Sequence, residues 1–283
     1  MAYRNSACAC CRRCFSEEPA RDNALFGTRG LICTPHLGAS TTEAQVNVAI
    51  QVAEQMSDFL LIGGITNAVN VPSLSAEEAP RLKPYMSLAE KLGRLIGQIA
   101  GTEIRSIDVE VEGAAAELNI KPITGAVLAG VMRSWSDTVN MVNAPFLAKE
   151  RGIDVREIRN SQEGDYHTLV AVTAGTDHGP NRVEGTLFGN RAPRLVNIFG
   201  IPVEAELAGQ MIYIVNDDQP GFIGALGTSL GANQINIATF NLGRRKEAGE
   251  AVALVAVDHP ISPDVAGQLA ALPGVREAVS LSF

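Results

Sequence analysis

Residues 211–230 read MIYIVNDDQPGFIGALGTSL, and this stretch decides the fold of the last third of the chain. Met211, Ile212, Tyr213, Ile214 and Val215 form a short apolar run closed by Asn216-Asp217-Asp218, the length and punctuation of a buried strand and its turn. Pro220 stands where a helix should open, because a proline in the first turn gives up an N–H that has no partner there. Phe222, Ala225, Leu226 and Leu230 then recur at helical spacing and give that helix one apolar face. Further on, residues 235–242 and 251–257 are two strand-like runs around a charged tip at 244–249, which predicts a hairpin. The charged runs 244–246 and 247–250 are expected to be a solvated surface. Pro263 opens a second helix carrying Val265, Leu269 and Leu272, and Gly274 precedes a last strand over 275–281. From residue 209 to 283 the order is βαββαβ.

That order is the ferredoxin-like arrangement. Working back from it, residues 73–208 read as an α+β domain with mostly antiparallel strands. Leu88, Leu92, Leu95, Ile96 and Ile99 suggest a helix, and Ile104, Ile107, Val109 and Val111 a strand. Residues 125–135 and 144–151 look helical. Segments 168–173, 181–188, 194–198 and 203–207 look like strands. Residues 1–72 hold a turn-rich piece and then a long helix. Ser40 and Glu43 have capping-box spacing, so Ser40 is the expected N-cap. Ala44, Val48, Val52, Met56 and Phe59 give the helical period, and Gly63-Gly64 the stop. Residues 67–80 read as an extended connector. The expected division is 1–72, 73–208 and 209–283.

A formal net charge of −8 argues against a nucleic-acid partner and against a polybasic membrane anchor, both of which need clustered Lys and Arg. No apolar run approaches the roughly 18 residues of a membrane helix, and the N-terminus lacks an apolar signal core; a cytoplasmic protein is expected. Four of the five cysteines (Cys8, Cys10, Cys11 and Cys14) fall in the first fourteen residues, with Cys33 the fifth. A zinc site would need a second pair or histidines at matched distance, so no metal site is assigned. Alanine codons read out of frame become Cys and Arg, which makes residues 1–14 a candidate frameshifted or mis-started end. Metal binding is the second reading there and disulfides the third. His167, His178 and His259 have no partner at catalytic or ligand spacing, and Trp135 reads as helix packing. Arg191 and Arg194 are candidate anion contacts in the middle region, against the alternative that they are simply solvated.

Several stretches carry a family resemblance. Glu17-Glu18-Pro19, followed by TPHLGAST at residues 34–41, resembles the end of the catalytic core in D-2-hydroxy acid dehydrogenases. NAVNVP at residues 67–72 is similar to the D-3-phosphoglycerate dehydrogenase branch. The βαββαβ unit with DDQPG at residues 217–221 resembles an ACT domain. The middle region is similar to the intervening domain of the longer phosphoglycerate dehydrogenases. The resemblance implies His36 as general acid/base, with Glu18 orienting it. Histidine can move a proton on the carbinol oxygen in both directions, and a neighbouring carboxylate fixes its tautomer.

It further implies NAD-dependent oxidation of 3-phosphoglycerate to 3-phosphohydroxypyruvate, in the serine-biosynthetic route. No G-x-G-x-x-G fingerprint after a strand occurs in these residues. Gly221, Gly224, Gly227 and Gly231 fall on the ACT-like helix, where close packing is their expected role. The expected architecture is therefore a remnant of the α/β catalytic core, an intervening α+β domain and an ACT domain, forming a C-terminal fragment without the cofactor-binding domain. The ACT resemblance implies a homo-oligomer that binds L-serine through Asn216, Asp218 and Asn236, the last from the facing subunit. Two functions stay open: a dehydrogenase, or a regulatory module that binds L-serine without turnover.

Overall fold

The computed structural model describes residues 26–29, 39–71, 73–162, 164–245 and 249–283. Helix α1 spans Thr42–Ile62. Its cap is Thr41 rather than Ser40: the Thr41 Oγ1 accepts the Ala44 N–H at 3.1 Å, satisfying a first-turn donor. The end is the expected one. Gly63 adopts φ 78°, and the Gly64 N–H returns to the Asp58 carbonyl, closing the last turn. The helical period is present, but no residue of α1 is buried. The chain divides after residue 54, within this helix, so α1 is described by itself.

Helix α2 (Ala79–Ile99) begins inside the stretch expected to be a connector. Ser75 and Glu78 set it up: the Ser75 Oγ accepts the Glu78 N–H at 3.2 Å, and the Glu78 carboxylate accepts the Ser75 N–H at 3.3 Å. After α2 come β1 (Ile104–Gly113), a short 3-10 turn (Ala114–Glu117), α3 (Ile120–Arg133) and α4 (Ala144–Glu150). Five strands follow: β2 (Asp154–Asn160), β3 (Thr168–Thr176), β4 (Gly179–Phe188), β5 (Ala192–Ile198) and β6 (Ile201–Ala205). They form a six-stranded sheet in the order β2-β1-β3-β4-β5-β6. Only the β1–β2 pair is parallel. Strand β2 was missed in the sequence because DVREIRN is an exposed, charged edge with no apolar alternation to read.

The last region adds β7 (Gln210–Asp217), α5 (Phe222–Ala232), β8 (Ile237–Arg244), β9 (Glu250–Val257), α6 (Pro263–Ala270) and β10 (Val275–Ser282). The βαββαβ order is as read, and the sheet order is β10-β7-β9-β8. Alternation splits β7 and β9 between two cores. Ile212, Ile214, Ala253 and Val255 face α5 and α6, with Phe222, Leu226, Leu230 and Leu269. Met211, Tyr213, Val252 and Leu254, joined by Leu281 of β10, lie instead in the core that α2, α3 and the six-stranded sheet share. Both faces of this small sheet are therefore covered.

Glycines set the distance between α2 and α3. A methyl on Gly93 would run into the Val127 carbonyl oxygen, on Gly97 into that of Val131, and on Gly130 into that of Glu90. The two helices meet backbone to backbone. At its far end α2 reaches the second sheet, where the Gln98 side chain accepts the Ser282 N–H at 2.9 Å and donates to the Ser282 carbonyl at 3.3 Å. The other face of the six-stranded sheet carries charge. Arg182 forks between Glu110 (2.6 Å) and Glu184 (2.7 Å), and Arg156 meets Asp108 at 2.8 Å. Glu112 shares this face, and desolvation together with the nearby Glu110 pushes its carboxyl above the usual range.

Gly130→Ala should cost about 1–3 kcal/mol, the usual penalty of overpacking, and lower the urea midpoint. Gly267→Ala in α6, whose new methyl meets open space, should instead stabilise by about 0.5–1 kcal/mol. If the two changes act alike, the glycine contact does not fix the helix pair. Glu112 gives a pH prediction. Its folded form holds a proton more tightly than the unfolded chain does, so stability falls as pH rises from the ordinary carboxylate range through the raised value. Glu112→Gln should flatten that decline in thermal melts across mildly acidic pH, and an unchanged slope would remove Glu112 as its cause.

Candidate functional site

The site predicted at the turn between β7 and α5 is built from backbone first. The Asp217 N–H donates to the Gly274 carbonyl at 2.7 Å and the Asp218 N–H to the Gly249 carbonyl at 2.8 Å, so the turn is pinned from both sides. Pro220 lies in the turn and not in the helix. Gly221 is the N-cap, at φ 99°, and provides no side-chain cap. The first N–H groups of α5 therefore lack any side-chain acceptor at the cap, leaving a positive helix end beside the turn.

Asp217 and Asp218 are not caps. Asp217 pairs with Arg276 of β10 at 2.6 Å, and Asp218 pairs with Arg244 at the end of β8 at 3.3 Å. Arg276 also reaches Glu250 at 3.1 Å. The neighbouring Arg245 turns the other way and donates to the Phe199 carbonyl at 2.7 Å in the β5–β6 turn. Both arginines stay exposed, as expected of a solvated tip, but each also holds a specific partner. Local sequence showed only charge, and the partners come from distant strands.

Asn216 is 2% exposed and points to the helix-covered face of the sheet, alternating with Val215. Its Nδ2 donates to the Asp217 carbonyl at 2.9 Å, while its buried Oδ1 has no hydrogen-bond partner. Asn236 is exposed, just before β8, and its Nδ2 donates to Asp258 at 3.0 Å. The structure brings Asn216 and Asp218 together and leaves Asn236 at the opposite end of the sheet. Ile237 pairs with Val257, which pairs with Gln210 at the start of β7, whereas Asp218 follows the end of β7. At about 3.3 Å per residue the separation is roughly 25 Å.

Gly224, Gly227 and Gly231 do not serve close packing within the chain: a Cβ at each meets open space. Arg194 is taken up by Glu206 at 3.0 Å and by the Pro193 carbonyl, which leaves little of it for an anion. His36, Glu18 and all five cysteines lie outside the described residues. Among the described residues no group of three His, Cys, Asp or Glu is placed to hold a metal, and no helix is long and apolar enough to cross a membrane.

A helix-backed, mostly antiparallel sheet sharing its core with a ferredoxin-like unit defines an α+β protein. Comparison with known proteins specifies the class. Residues 81–199 match the model of the D-3-phosphoglycerate dehydrogenase intervening domain. The chain is 36% identical over 271 residues to a D-3-phosphoglycerate dehydrogenase of Synechocystis, covering 95% of this chain and 49% of that protein. Its identity to the Bacillus subtilis protein of that name is 36% over 262 residues, covering 92% and 50%. For the Methanocaldococcus jannaschii protein it is 34% over 270 residues, covering 95% and 51%. Over most of its length the chain is similar to D-3-phosphoglycerate dehydrogenases, and it spans about half the length of the curated relatives it matches.

The orphaned Asn216 Oδ1 generates a prediction. A buried acceptor without a donor costs about 1–3 kcal/mol. Asn216→Leu removes it at similar volume, and the Asp217 carbonyl keeps the Gln219 N–H at 2.7 Å. Stability should rise by about 1 kcal/mol in urea unfolding. A clear loss would mean that the amide is structural.

Proposed function

We propose that this chain supplies the regulatory part of a serine-biosynthetic D-3-phosphoglycerate dehydrogenase and binds L-serine between two copies. One observation carries the reading: Asp218 and the unpartnered Asn216 Oδ1 stand beside the uncapped N-terminus of α5, while Asn236 lies at the other end of the sheet. A carboxylate suits the helix end, and an ammonium group suits Asp218. Strand β8 is one edge of the four-stranded sheet, with β10 at the other. Pairing it antiparallel with the β8 of a second copy would carry that copy's Asn236 toward Asp218. The open glycine face of α5 supports close approach of a partner.

The second reading is the dehydrogenase itself, favoured by the names of the relatives. In it the whole protein oxidises 3-phosphoglycerate with NAD in the cytoplasm, and His36 with Glu18 handles the proton. The described residues do not fit the cofactor. The turn between β7 and α5 carries Asp217 and Asp218, which would repel a pyrophosphate, and the β1 end leads into the run Ala114-Ala115-Ala116-Glu117 without a glycine cradle. No step of hydride transfer is assigned to them.

Calorimetric titration of the full chain with L-serine tests the first reading, with the dimer checked by sedimentation. Asp218→Ala breaks only a largely exposed ion pair, so stability should move by less than about 1 kcal/mol. Serine affinity should fall at least about tenfold. Asn236→Ala should act likewise through the partner copy. No heat of serine binding in a confirmed dimer sinks the proposal.

A further inference from the structure

We infer that a second, separate cleft, at the C-terminal end of α2, binds a free α-amino acid through both of its charges. The cleft is about 590 Å³ and is lined by Gly97, Gly101, Thr102, Glu103, Trp135 and Arg151, with Ile104 and Ile153 among its apolar contacts. It involves none of the residues at the β7–α5 turn.

Three features make it a site of opposite charges held apart. The Arg151 guanidinium lies over the Trp135 ring, 4.5 Å from its centroid. Stacking of this kind holds the planar group by its face and leaves its N–H edge free for a carboxylate. Among the described residues the Arg151 side chain has no ion pair or hydrogen bond, unlike Arg156, Arg182 or Arg194. The second feature is negative. The last turn of α2 carries no basic side chain, so the partial charge of its free carbonyls is uncompensated. Glu103, four residues beyond the helix and also without an ion pair among the described residues, adds a full charge there. Third, the Thr102 Oγ1 between them is buried without a hydrogen-bond partner.

A lone anion would gain Arg151 but face Glu103 and the helix end. A lone cation would meet the reverse. A ligand bearing carboxylate and ammonium a few ångströms apart satisfies both, and the Thr102 hydroxyl can donate to the carboxylate or accept from the ammonium. Because both charged side chains are exposed, each contributes modestly, and a dissociation constant on the order of 1 mM is expected. The structural alternative is that Arg151 merely covers Trp135.

Trp135 is the only tryptophan of the sequence, which makes the cleft directly observable. The test uses the full chain carrying Asp218→Ala, to silence the turn at α5, and follows Trp135 emission and calorimetric heat. L-serine is the probe. Glycolate and ethanolamine are its single-charge halves. Serine should give a saturable change in both readouts, while either half alone should bind at least tenfold more weakly. Glu103→Gln and Arg151→Gln should each weaken serine at least tenfold, with the thermal midpoint unchanged for Glu103→Gln. Absence of heat, or glycolate binding as well as serine does, overturns the inference. So does a serine response that survives Glu103→Gln.

Discussion

The contact on which the structure depends is the backbone-to-backbone crossing of α2 and α3. Carbonyls of one helix sit where the side chains of the other would be, so Gly93, Gly97 and Gly130 tolerate no Cβ without moving a backbone. This thin helix pair covers the six-stranded sheet through Leu88, Leu92, Leu95 and Ile96 on one side and Ile123, Val127 and Val131 on the other helix, all within one core. Because α2 is 21 residues long, its end passes the first sheet and reaches Ser282 of the second. A thicker helix layer would break the shared core and that bridge together.

The shared core changes what the ferredoxin-like unit can offer. Met211, Tyr213, Val252, Leu254 and Leu281 are buried against α2 and the first sheet, so the helix-free face of the small sheet is closed. Burial there, with Glu277 and Glu250 nearby, also pushes the Tyr213 phenol far above its ordinary range, so it stays neutral. Strands β8 and β10 stand at the two edges of the sheet, and the glycines of α5 face open space. The β6 strand crosses β8 where Gly243 lets the Pro202 carbonyl approach, and Asn241 donates to the Glu204 carbonyl at 2.7 Å. Two consecutive arginines at the end of β8 then point apart, Arg244 to Asp218 and Arg245 to the Phe199 carbonyl. The charged turn beside α5 and the β5–β6 hairpin are thus held by adjacent residues of one strand.

Much of this was readable from the chain alone because apolar period and turn chemistry are local. The βαββαβ order, the helix stop at Gly63 and the position of Asn216 and Asp218 beside a helix start all followed from residues within a few positions of each other. What the period could not reveal was exposure: Val48, Val52, Met56 and Phe59 keep helical spacing in α1 yet none is buried. Strand β2 has no apolar alternation to read, because it is an edge strand of mostly exposed side chains whose one strand neighbour is β1.

The sequence by itself determined the elements and the chemical types at each turn, since propensity, capping and alternation act over one or two turns of chain. Only the tertiary structure decided which charges are neutralised, which glycines are obligatory and which polar atom is orphaned. Gly130 and Gly227 look alike in a helical sequence, yet one meets a carbonyl and the other open space. Asp218 shows in sequence only a carboxylate before a helix start, and Arg244, 26 residues away, is the partner that the fold brings to it. Arg151 lies over Trp135, 16 residues away, and both line one cleft. In each case the deciding partner is distant in the chain, and the energy of a charge or a methyl group depends on what stands within a few ångströms.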